Sequence, residues 1–227
     1  MDLWRSKVGR LGEQDGLSTE LARLAAKNRE SYRPYRAKLV RRCYIPKENG
    51  KLRPLGIPTL EDKLVQKACA KVLNAIYEID FLDCSYAYRP NRSPQEAVVD
   101  LNFNLQYGRI GYIVEADIKG FFDNIDHDWL CQMLSLRIDD RAFLNLIRKW
   151  LKAGILEPDG RVIDPDTGTP QGGIVSSILA NVYLHHALDL WFEKIVRAGC
   201  QSGAFICRFE EPDPGKPHVR VCAGGFW

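Results

Sequence analysis

The sequence has 227 residues, 45% of them hydrophobic and 27% charged, which is a typical composition for a globular protein. No apolar run approaches the ~20 residues that a membrane-spanning helix requires, and the N-terminus lacks the apolar segment of a signal peptide. The seven cysteines include no CxxC pair, which favours reduced thiols over a disulfide framework and predicts a cytoplasmic protein.

The formal net charge is +3, but the charges are unevenly distributed along the chain. Residues 1–53 contain 14 Lys and Arg against 6 Asp and Glu, a net charge of +8, so the remainder carries −5. A basic N-terminal part beside an acidic remainder suits a protein that binds a polyanion and also holds cations. A solvated basic surface without a ligand is the alternative interpretation.

The first part of the chain predicts one short helix and one hairpin. Residues 1–32 form an N-terminal segment in which Ser18 is a candidate helix cap. The stretch 41–58 predicts a β-hairpin, because an Asn-Gly turn separates two short strands and prolines end the second. Thr59 and Asp62 then form a capping pair for a helix with apolar residues at helical spacing.

The middle of the chain combines a helix with the most unusual strand of the sequence. Ser93, Pro94 and Glu96 predict a capped helix that ends at Gly108. A strand over 110–117 follows, and its apolar residues predict that it is buried.

The remaining elements complete an alternation of helices and hairpins. Helices are predicted over roughly 127–137 and 140–152, followed by a hairpin that turns at Asp159-Gly160. The glycine-rich stretch 167–173 then leads into a long helix to about Arg197. Strands separated by helices, with hairpins between them, indicate an α+β fold.

The predicted strand 110–117 ends in carboxylates, as the stretch "VEADIKGFFDNIDH" shows. Buried carboxylates are costly unless something neutralises them, and a metal ion does so well. Asp117 lies at the strand tip, Gly120 permits close backbone approach, and Phe121-Phe122 add bulk. Phosphoryl transfer by two metal ions requires carboxylates on a rigid backbone, so Asp117 is a candidate metal ligand. A plain turn aspartate is the alternative.

Two other segments could contact a nucleotide. In "TPQGG", Pro170 stiffens the turn and Gln171 offers an amide just before a helix N-terminus, where a phosphate or a base edge can bind. Lys51 and Arg53 alternate in a strand and therefore project to the same side, as a triphosphate clamp requires. Each segment alone is also compatible with an ordinary turn or an exposed hairpin.

Taken in order, these segments resemble the reverse transcriptases encoded by group II introns, over about residues 33–208. Four long stretches carry the resemblance: "KLRPLGIPTLEDKLVQ", "FLDCSYAYRPNRSPQEAV", "YIVEADIKGFFDNIDHDWL" and "GTPQGGIVSSILANVYLH". We refer to them as blocks one to four. The resemblance implies the fingers–palm fold of right-handed polymerases and, with it, RNA-directed DNA synthesis. It implies two Mg²⁺ ions, an RNA template (a group II intron RNA), a DNA primer and deoxynucleoside triphosphates.

The resemblance also implies residue roles. Asp117 matches the first metal-binding aspartate, with the backbone carbonyl of Ile118 as a further ligand, and Phe122 matches the residue that crowds the sugar 2′ position. Contacts to the incoming nucleotide are implied for Lys51, Arg53, Pro170 and Gln171. A position along the template path is implied for Tyr88, Arg89, Asn91 and Arg92. Turn and cap positions without a catalytic role are assigned to Asp123, Asp126 and Asp128, and a surface position to His185-His186.

The resemblance ends where the family has Tyr-Ala-Asp-Asp, the source of its second metal-binding aspartate. Here "FICRF" (205–209) resembles the approach strand, but Phe209 replaces the tyrosine, and Glu210-Glu211-Pro212 follow. Glutamate is one methylene longer than aspartate and Pro212 lacks a backbone donor, so Glu210 and Glu211 are only possible metal ligands. Residues 209–227 are therefore predicted to be an irregular tail outside the family pattern, and the chain to be a truncated fragment. The alternative to a polymerase is a catalytically inactive, nucleic-acid-binding remnant.

Overall fold

The computed structural model of the chain describes residues 35–46, 50, 52–108, 110–170, 172–200, 204–210 and 217–223. Within strands, the description of residues 210 and 217–223 is limited to the backbone. The predicted N-terminal segment 1–32, with its helix from Ser18, lies outside the described residues. Among the described helices, none is both long enough and apolar enough to cross a bilayer.

The first sheet contains two hairpins, as the sequence predicts. Strands β1 (Val40–Pro46) and β2 (Leu52–Ile57) pair antiparallel from Arg41–Ile57 to Pro46–Leu52. Strand β1 also pairs in parallel with β4 (Ile155–Leu156), which forms the second hairpin with β5 (Val162–Ile163). The sheet has the order β2-β1-β4-β5. We refer to this sheet as the fingers sheet.

Four helices lie where the sequence predicts them. They are α1 (Leu60–Tyr77), α2 (Pro94–Tyr107), α3 (His127–Ser135) and α4 (Arg141–Leu151). Thr59 accepts a hydrogen bond from the amide of Asp62, and Ser93 and Glu96 form a complete capping box. Because caps satisfy the free N–H groups of the first turn, they fix where each helix starts.

The long helix predicted after block four contains two wide turns. Helix α5 (Ser176–Leu184) continues through π-helical turns at His185–Asp189 and Phe192–Val196 into α6 (Arg197–Gly199). The main hydrophobic core lies between α1, α3, α4 and α5, where Leu73, Leu130, Leu134, Ile147 and Leu179 are fully buried.

The second sheet brings together strands that are distant in sequence. Strands β3 (Tyr112–Asp117), β6 (Ala204–Glu210) and β7 (Pro217–Ala223) form an antiparallel sheet in the order β3-β7-β6. We refer to it as the palm sheet. The predicted irregular tail is therefore wrong for 217–223, because β7 pairs on both sides and so satisfies its backbone groups there. Pro217 is the first residue of its strand, a position that tolerates the missing N–H.

The prediction that β3 is buried is also wrong, since all six of its residues are exposed. Strand β3 is an edge strand that pairs with β7, whereas the helices cover β6 at the other end of the sheet. Cys207 and Phe209 of β6 pack with Ala97 of α2, and Ile206 packs with Phe192 on the opposite face. The carboxylate at the tip of β3 consequently meets solvent rather than a closed core.

Candidate active site

Asp117 and Phe209 lie in the same row of the palm sheet. Asp117 is the last residue of β3, and both it and Phe209 are paired with position 218 of the intervening strand β7. Directly opposed residues of antiparallel strands share a face, so these two positions face the same side, about 10 Å apart across two strand spacings. The sheet therefore aligns the predicted metal ligand with the strand that resembles the family's approach strand, with β7 between the two.

The turn after β3 reverses the chain within a few residues. Gly120 has a φ of +63°, in the left-handed region, and Phe121–Asp123 form a 3₁₀ turn. Asp126 accepts a hydrogen bond from the amide of Trp129 at 2.8 Å and so caps α3. Asp128 lies in the first turn of that helix. These contacts confirm the turn and cap positions predicted for Asp123, Asp126 and Asp128.

Block four is joined to this turn by backbone hydrogen bonds. The amide of Gly168 donates to the Ile125 carbonyl, and that of Thr169 donates to the Phe122 carbonyl, both at 2.7 Å. Gly168 has a φ of +86°, and a Cβ there would lie 2.7 Å from the carbonyl oxygen of Asp123. Only glycine fits this position. The two hydrogen bonds and this close approach hold the loop against the turn after β3.

The same loop also contacts helix α1 and the fingers sheet. The side-chain oxygen of Gln66, on α1, accepts a hydrogen bond from the amide of Ile174 at 3.0 Å. Gly172 has a φ of +100°, and a Cβ there would lie 2.9 Å from the carbonyl oxygen of Gly56 on β2. Blocks one, three and four, which are separated by up to 100 residues, therefore meet around Pro170.

The predicted nucleotide contacts are only partly described. Lys51 and Gln171 lie outside the described residues, whereas Arg53 is half-buried on β2, opposite Ile45. Phe122 is 4% exposed and packs edge-to-face on Phe121 at 5.5 Å in the main core. The proposed contact of Phe122 with a sugar stays a prediction, and the described role of the ring is packing.

Block two forms a tightly bound loop. Tyr88 and Asn91 both have positive φ values, 54° and 57°, which are uncommon for residues other than glycine. The buried guanidinium of Arg89 between them donates to Glu78 and to the carbonyl oxygens of Leu82 and Ser85, at 2.8–3.3 Å. Arg89 therefore holds the loop together, and its implied position as a template contact does not fit its burial.

Arg92, at the end of the same loop, is more accessible than Arg89. Its guanidinium pairs with Asp83 at 2.6 Å and lies over the ring of Tyr86, 5.3 Å from the centroid. The side chain is 28% exposed, and its partner Asp83 is 93% exposed. Because surface ion pairs are weak, Arg92 remains a candidate phosphate contact.

Two features of the site were not predicted from the sequence. Arg208 is fully buried next to Phe209 and pairs with Asp189, also fully buried. His185 is buried, so the surface position predicted for it is wrong. Burial lowers its pKa and that of the neighbouring His186. A charged residue inside each of two apolar runs, "FICRF" and "ALDLWF", was the available signal for the ion pair.

Asp117 is the described side chain that the sequence identifies as a candidate metal ligand. Among the described residues, no three His, Cys, Asp or Glu side chains cluster in a way that could hold a metal ion. Asp117 fits a ligand role because it is exposed at a strand tip and its side chain is hard and anionic. Position 210 pairs with position 217, one row beyond Asp117, and successive rows alternate between faces. Position 211 lies outside the described residues.

Together, the fingers sheet, the palm sheet and the loop that joins them define the fingers–palm part of a right-handed polymerase. The solved structure of telomerase from Candida albicans shares this fold, with a TM-score of 0.58 and 11% identity over 91% of this chain and 42% of that one. The family model described as Reverse transcriptase (RNA-dependent DNA polymerase) matches residues 45–209. The chain belongs to this reverse transcriptase family, whose enzymes generally use divalent metal ions.

Similarity to curated relatives indicates which type of reverse transcriptase the chain belongs to. The chain is 49% identical over 147 residues to the group II intron-encoded protein LtrA of Lactococcus lactis subsp. cremoris, covering 64% of this chain and 24% of that protein. It is 45% identical over 155 residues to an uncharacterized 91 kDa protein in the cob intron of Schizosaccharomyces pombe, covering 68% and 19%. The chain thus spans about a quarter or less of these relatives, and its similarity confirms the group II intron type.

Proposed function

We propose that this chain is the fingers–palm part of an RNA-directed DNA polymerase that works with a group II intron RNA. The main supporting observation is the shared row of Asp117 and Phe209 on the palm sheet, because it aligns the predicted metal ligand with the end of the approach strand across β7. The template would be RNA, the primer DNA, and the substrates deoxynucleoside triphosphates. The strongest support for these partners is the relationship to group II intron-encoded proteins.

In this proposal each group of candidate residues has one role. Asp117 and the backbone carbonyl of Ile118 would hold Mg²⁺, which supplies stabilisation of negative charge on the transferring phosphoryl group. Lys51 and Arg53 would bind the triphosphate. Pro170 and Gln171 would orient the nucleotide. Tyr88, Asn91 and Arg92 would contact the template.

A second candidate function is nucleic-acid binding without synthesis. It is favoured by Phe209-Glu210-Glu211-Pro212, which replace the family's Tyr-Ala-Asp-Asp. The backbone of position 210 pairs in the row next to that of Asp117, not in the same row. Glu211 keeps the ligand position of the motif, but its longer side chain alters the geometry that two-metal catalysis requires. We therefore expect no detectable synthesis from the sequence as it stands.

Primer extension on an RNA template with Mg²⁺ tests both candidates. The parent chain is compared with a variant that carries Phe209→Tyr, Glu210→Ala, Glu211→Asp and Pro212→Asp. Because β7 already provides the returning strand, we expect these four changes to produce template-dependent incorporation. Asp117→Asn in that background should abolish it, since a neutral amide is a poor Mg²⁺ ligand.

Glu115→Gln is the matched control, because Glu115 lies two residues before Asp117 on the same strand and the same face. It should leave the restored activity intact. Extension that persists in Asp117→Asn would overturn the proposed metal site. RNA binding by all variants, with no synthesis from the restored one, would support the binding function instead.

A further inference from the structure

Each of the three nitrogen atoms of the buried Arg208 guanidinium donates a hydrogen bond to a side chain. The Nε and Nη2 atoms donate to the two carboxylate oxygens of Asp189, at 3.1 and 2.9 Å. Nη1 donates to Asn181 at 2.8 Å, and Nη2 also donates to Ser85 at 2.6 Å. These four side chains are at most 1% exposed. We refer to them as the Arg208 network.

The Arg208 network joins three segments that are distant in sequence. Arg208 belongs to β6, Ser85 to the block two loop, and Asn181 to α5. The side-chain nitrogen of Asn181 also donates to the Ala87 carbonyl at 2.7 Å, so the loop is held at two points. The backbone of Arg208 adds two further bonds at 2.8 Å, to the Cys84 carbonyl and from the Tyr86 amide.

The π-helical turn aligns Asp189 with this network. On a regular α-helix, residues eight positions apart, such as Asn181 and Asp189, would point about 80° away from each other. A π turn, His185–Asp189, accommodates about one more residue than an α turn, and it lies between them. Both side chains therefore reach the same guanidinium, although neither position would predict this from α-helical spacing.

A buried ion pair such as that of Arg208 and Asp189 contributes more to fixing the positions of its two elements than to the free energy of unfolding. Removing two charges from water is expensive, and well-packed apolar side chains of similar size are often as stable or more stable. A bidentate arginine–carboxylate pair, in contrast, fixes direction as well as distance. The next residue after Arg208 is Phe209, which shares its row with Asp117. Any rotation or slip of β6 would move that row.

We propose that Arg208 is a positioning residue, which with Asp189 fixes strand β6 so that Phe209 stays in the same row of the palm sheet as Asp117. The inference rests on the proposed function, because it assigns the strand a task at the metal site. Arg208 itself is fully buried, so it would act on the site through strand β6. The same network makes the block two loop and β6 move as one body, which links the template path to the metal site.

The test separates positioning from stability with an apolar replacement. Arg208→Met together with Asp189→Leu removes both charges but keeps the volume. Arg197→Met with Glu193→Leu is the matched control, because that pair is exposed on the same long helix. Thermal unfolding reports stability, and an electron paramagnetic resonance titration with Mn²⁺, which prefers oxygen ligands, reports the metal site without requiring synthesis. All variants are made in the chain with the restored Tyr-Ala-Asp-Asp turn, which serves as the parent, because its second carboxylate follows β6. Asp117→Asn is titrated in parallel.

We expect the Arg208 and Asp189 double variant to fold and to unfold at a temperature lowered only by the donor that Asn181 and Ser85 lose, with Mn²⁺ affinity about tenfold lower. The control pair should change neither quantity. Parent-like Mn²⁺ affinity in the double variant, with a clear loss in Asp117→Asn, would overturn the positioning role alone. Unchanged affinity in Asp117→Asn would instead overturn the proposed function.

Two further measurements keep the inference testable if the double variant does not fold. Arg208→Lys keeps the charge but loses the planar fork, so it should fold and still lose Mn²⁺ affinity. In the parent, the amides of Tyr86 and Arg208 should exchange hydrogen only through global unfolding, like those of α5. Faster exchange at these two amides, through a local opening, would show that the network does not fix β6.

Discussion

The Nε2–H group of His127 donates a hydrogen bond to the carbonyl oxygen of Gly168, with a nitrogen–oxygen distance of 2.6 Å. His127 begins helix α3, directly after the turn that follows Asp117, and Gly168 begins block four. The imidazole is buried, so this bond is shielded from water. It adds a side-chain bond to the backbone bonds that hold the two blocks together.

Gly168→Ala should therefore disrupt the site as well as the stability. Its φ of +86° disfavours alanine, and the new Cβ would lie 2.7 Å from a backbone oxygen that cannot move independently. We expect a loss of at least about 3 kcal/mol in the free energy of unfolding, measured with urea.

Gly160→Ala is the matched control for this substitution. Gly160 has a nearly identical φ of +88°, but a Cβ there would meet nothing within 4 Å. It should cost only about 1–2 kcal/mol, the price of the left-handed backbone alone. Equal losses in the two variants would mean that the close approach of block four to the turn after β3 has no energetic importance.

RNA binding should depend on Arg92 and not directly on Arg89. We expect weak, sequence-independent binding whose affinity falls steeply between about 50 and 200 mM salt, because phosphate contacts release counterions. Arg92→Ala should reduce the slope of log affinity against log salt by about 0.7, the value for one phosphate contact on a single strand.

Arg89→Lys should leave that slope unchanged and lower the unfolding free energy instead. Lysine keeps the charge near Glu78 but cannot reproduce the fork that also binds two backbone carbonyls. Fluorescence anisotropy at several salt concentrations measures the slopes, and urea unfolding measures the stability. A reduced slope in Arg89→Lys with unchanged stability would restore Arg89 to the template path.

Local features of the fold could be predicted from sequence, whereas long-range ones could not. Ser93 and Glu96 identify a helix start because both groups of the capping box lie within one turn. The exposed edge position of β3 depends instead on its pairing with β7, a strand about 100 residues later that has no family pattern. The pairing of Arg208 with Asp189 required the π turn, which changes the helical spacing that sequence patterns assume.

The two neighbouring histidines should make stability depend on pH. Burial lowers the pKa of His185 and of His186, and Asp189 and Asp80 oppose that shift only in part. The unfolded chain therefore binds protons more readily, so stability is highest above the normal histidine pKa of about 6.5 and falls as the pH decreases below it. Each histidine contributes at most about 1.4 kcal/mol per pH unit.

Urea unfolding at about pH 7.5 and about pH 5.5 measures this dependence. His185→Gln removes the buried titrating group next to Phe81, and it should flatten the profile between those two pH values. His127→Gln serves as a comparison, because it removes a buried histidine elsewhere. A profile that stays equally steep in His185→Gln would show that other groups cause the pH dependence.

Discrimination against ribonucleotides gives the most specific test of the nucleotide pocket. Phe121 and Phe122 are adjacent, both buried, and in edge-to-face contact, so replacing either ring by valine should leave a similar cavity and a similar loss of stability. Only Phe122 is implied to crowd the sugar 2′ position. In the chain with the restored Tyr-Ala-Asp-Asp turn, Phe122→Val should raise incorporation of ribonucleotides relative to deoxyribonucleotides, while Phe121→Val should not.

Single-nucleotide incorporation at low temperature, where both variants remain folded, measures this ratio. An equal rise in both variants would trace the effect to loosening of the core and would leave Phe122 with the packing role that its burial already shows.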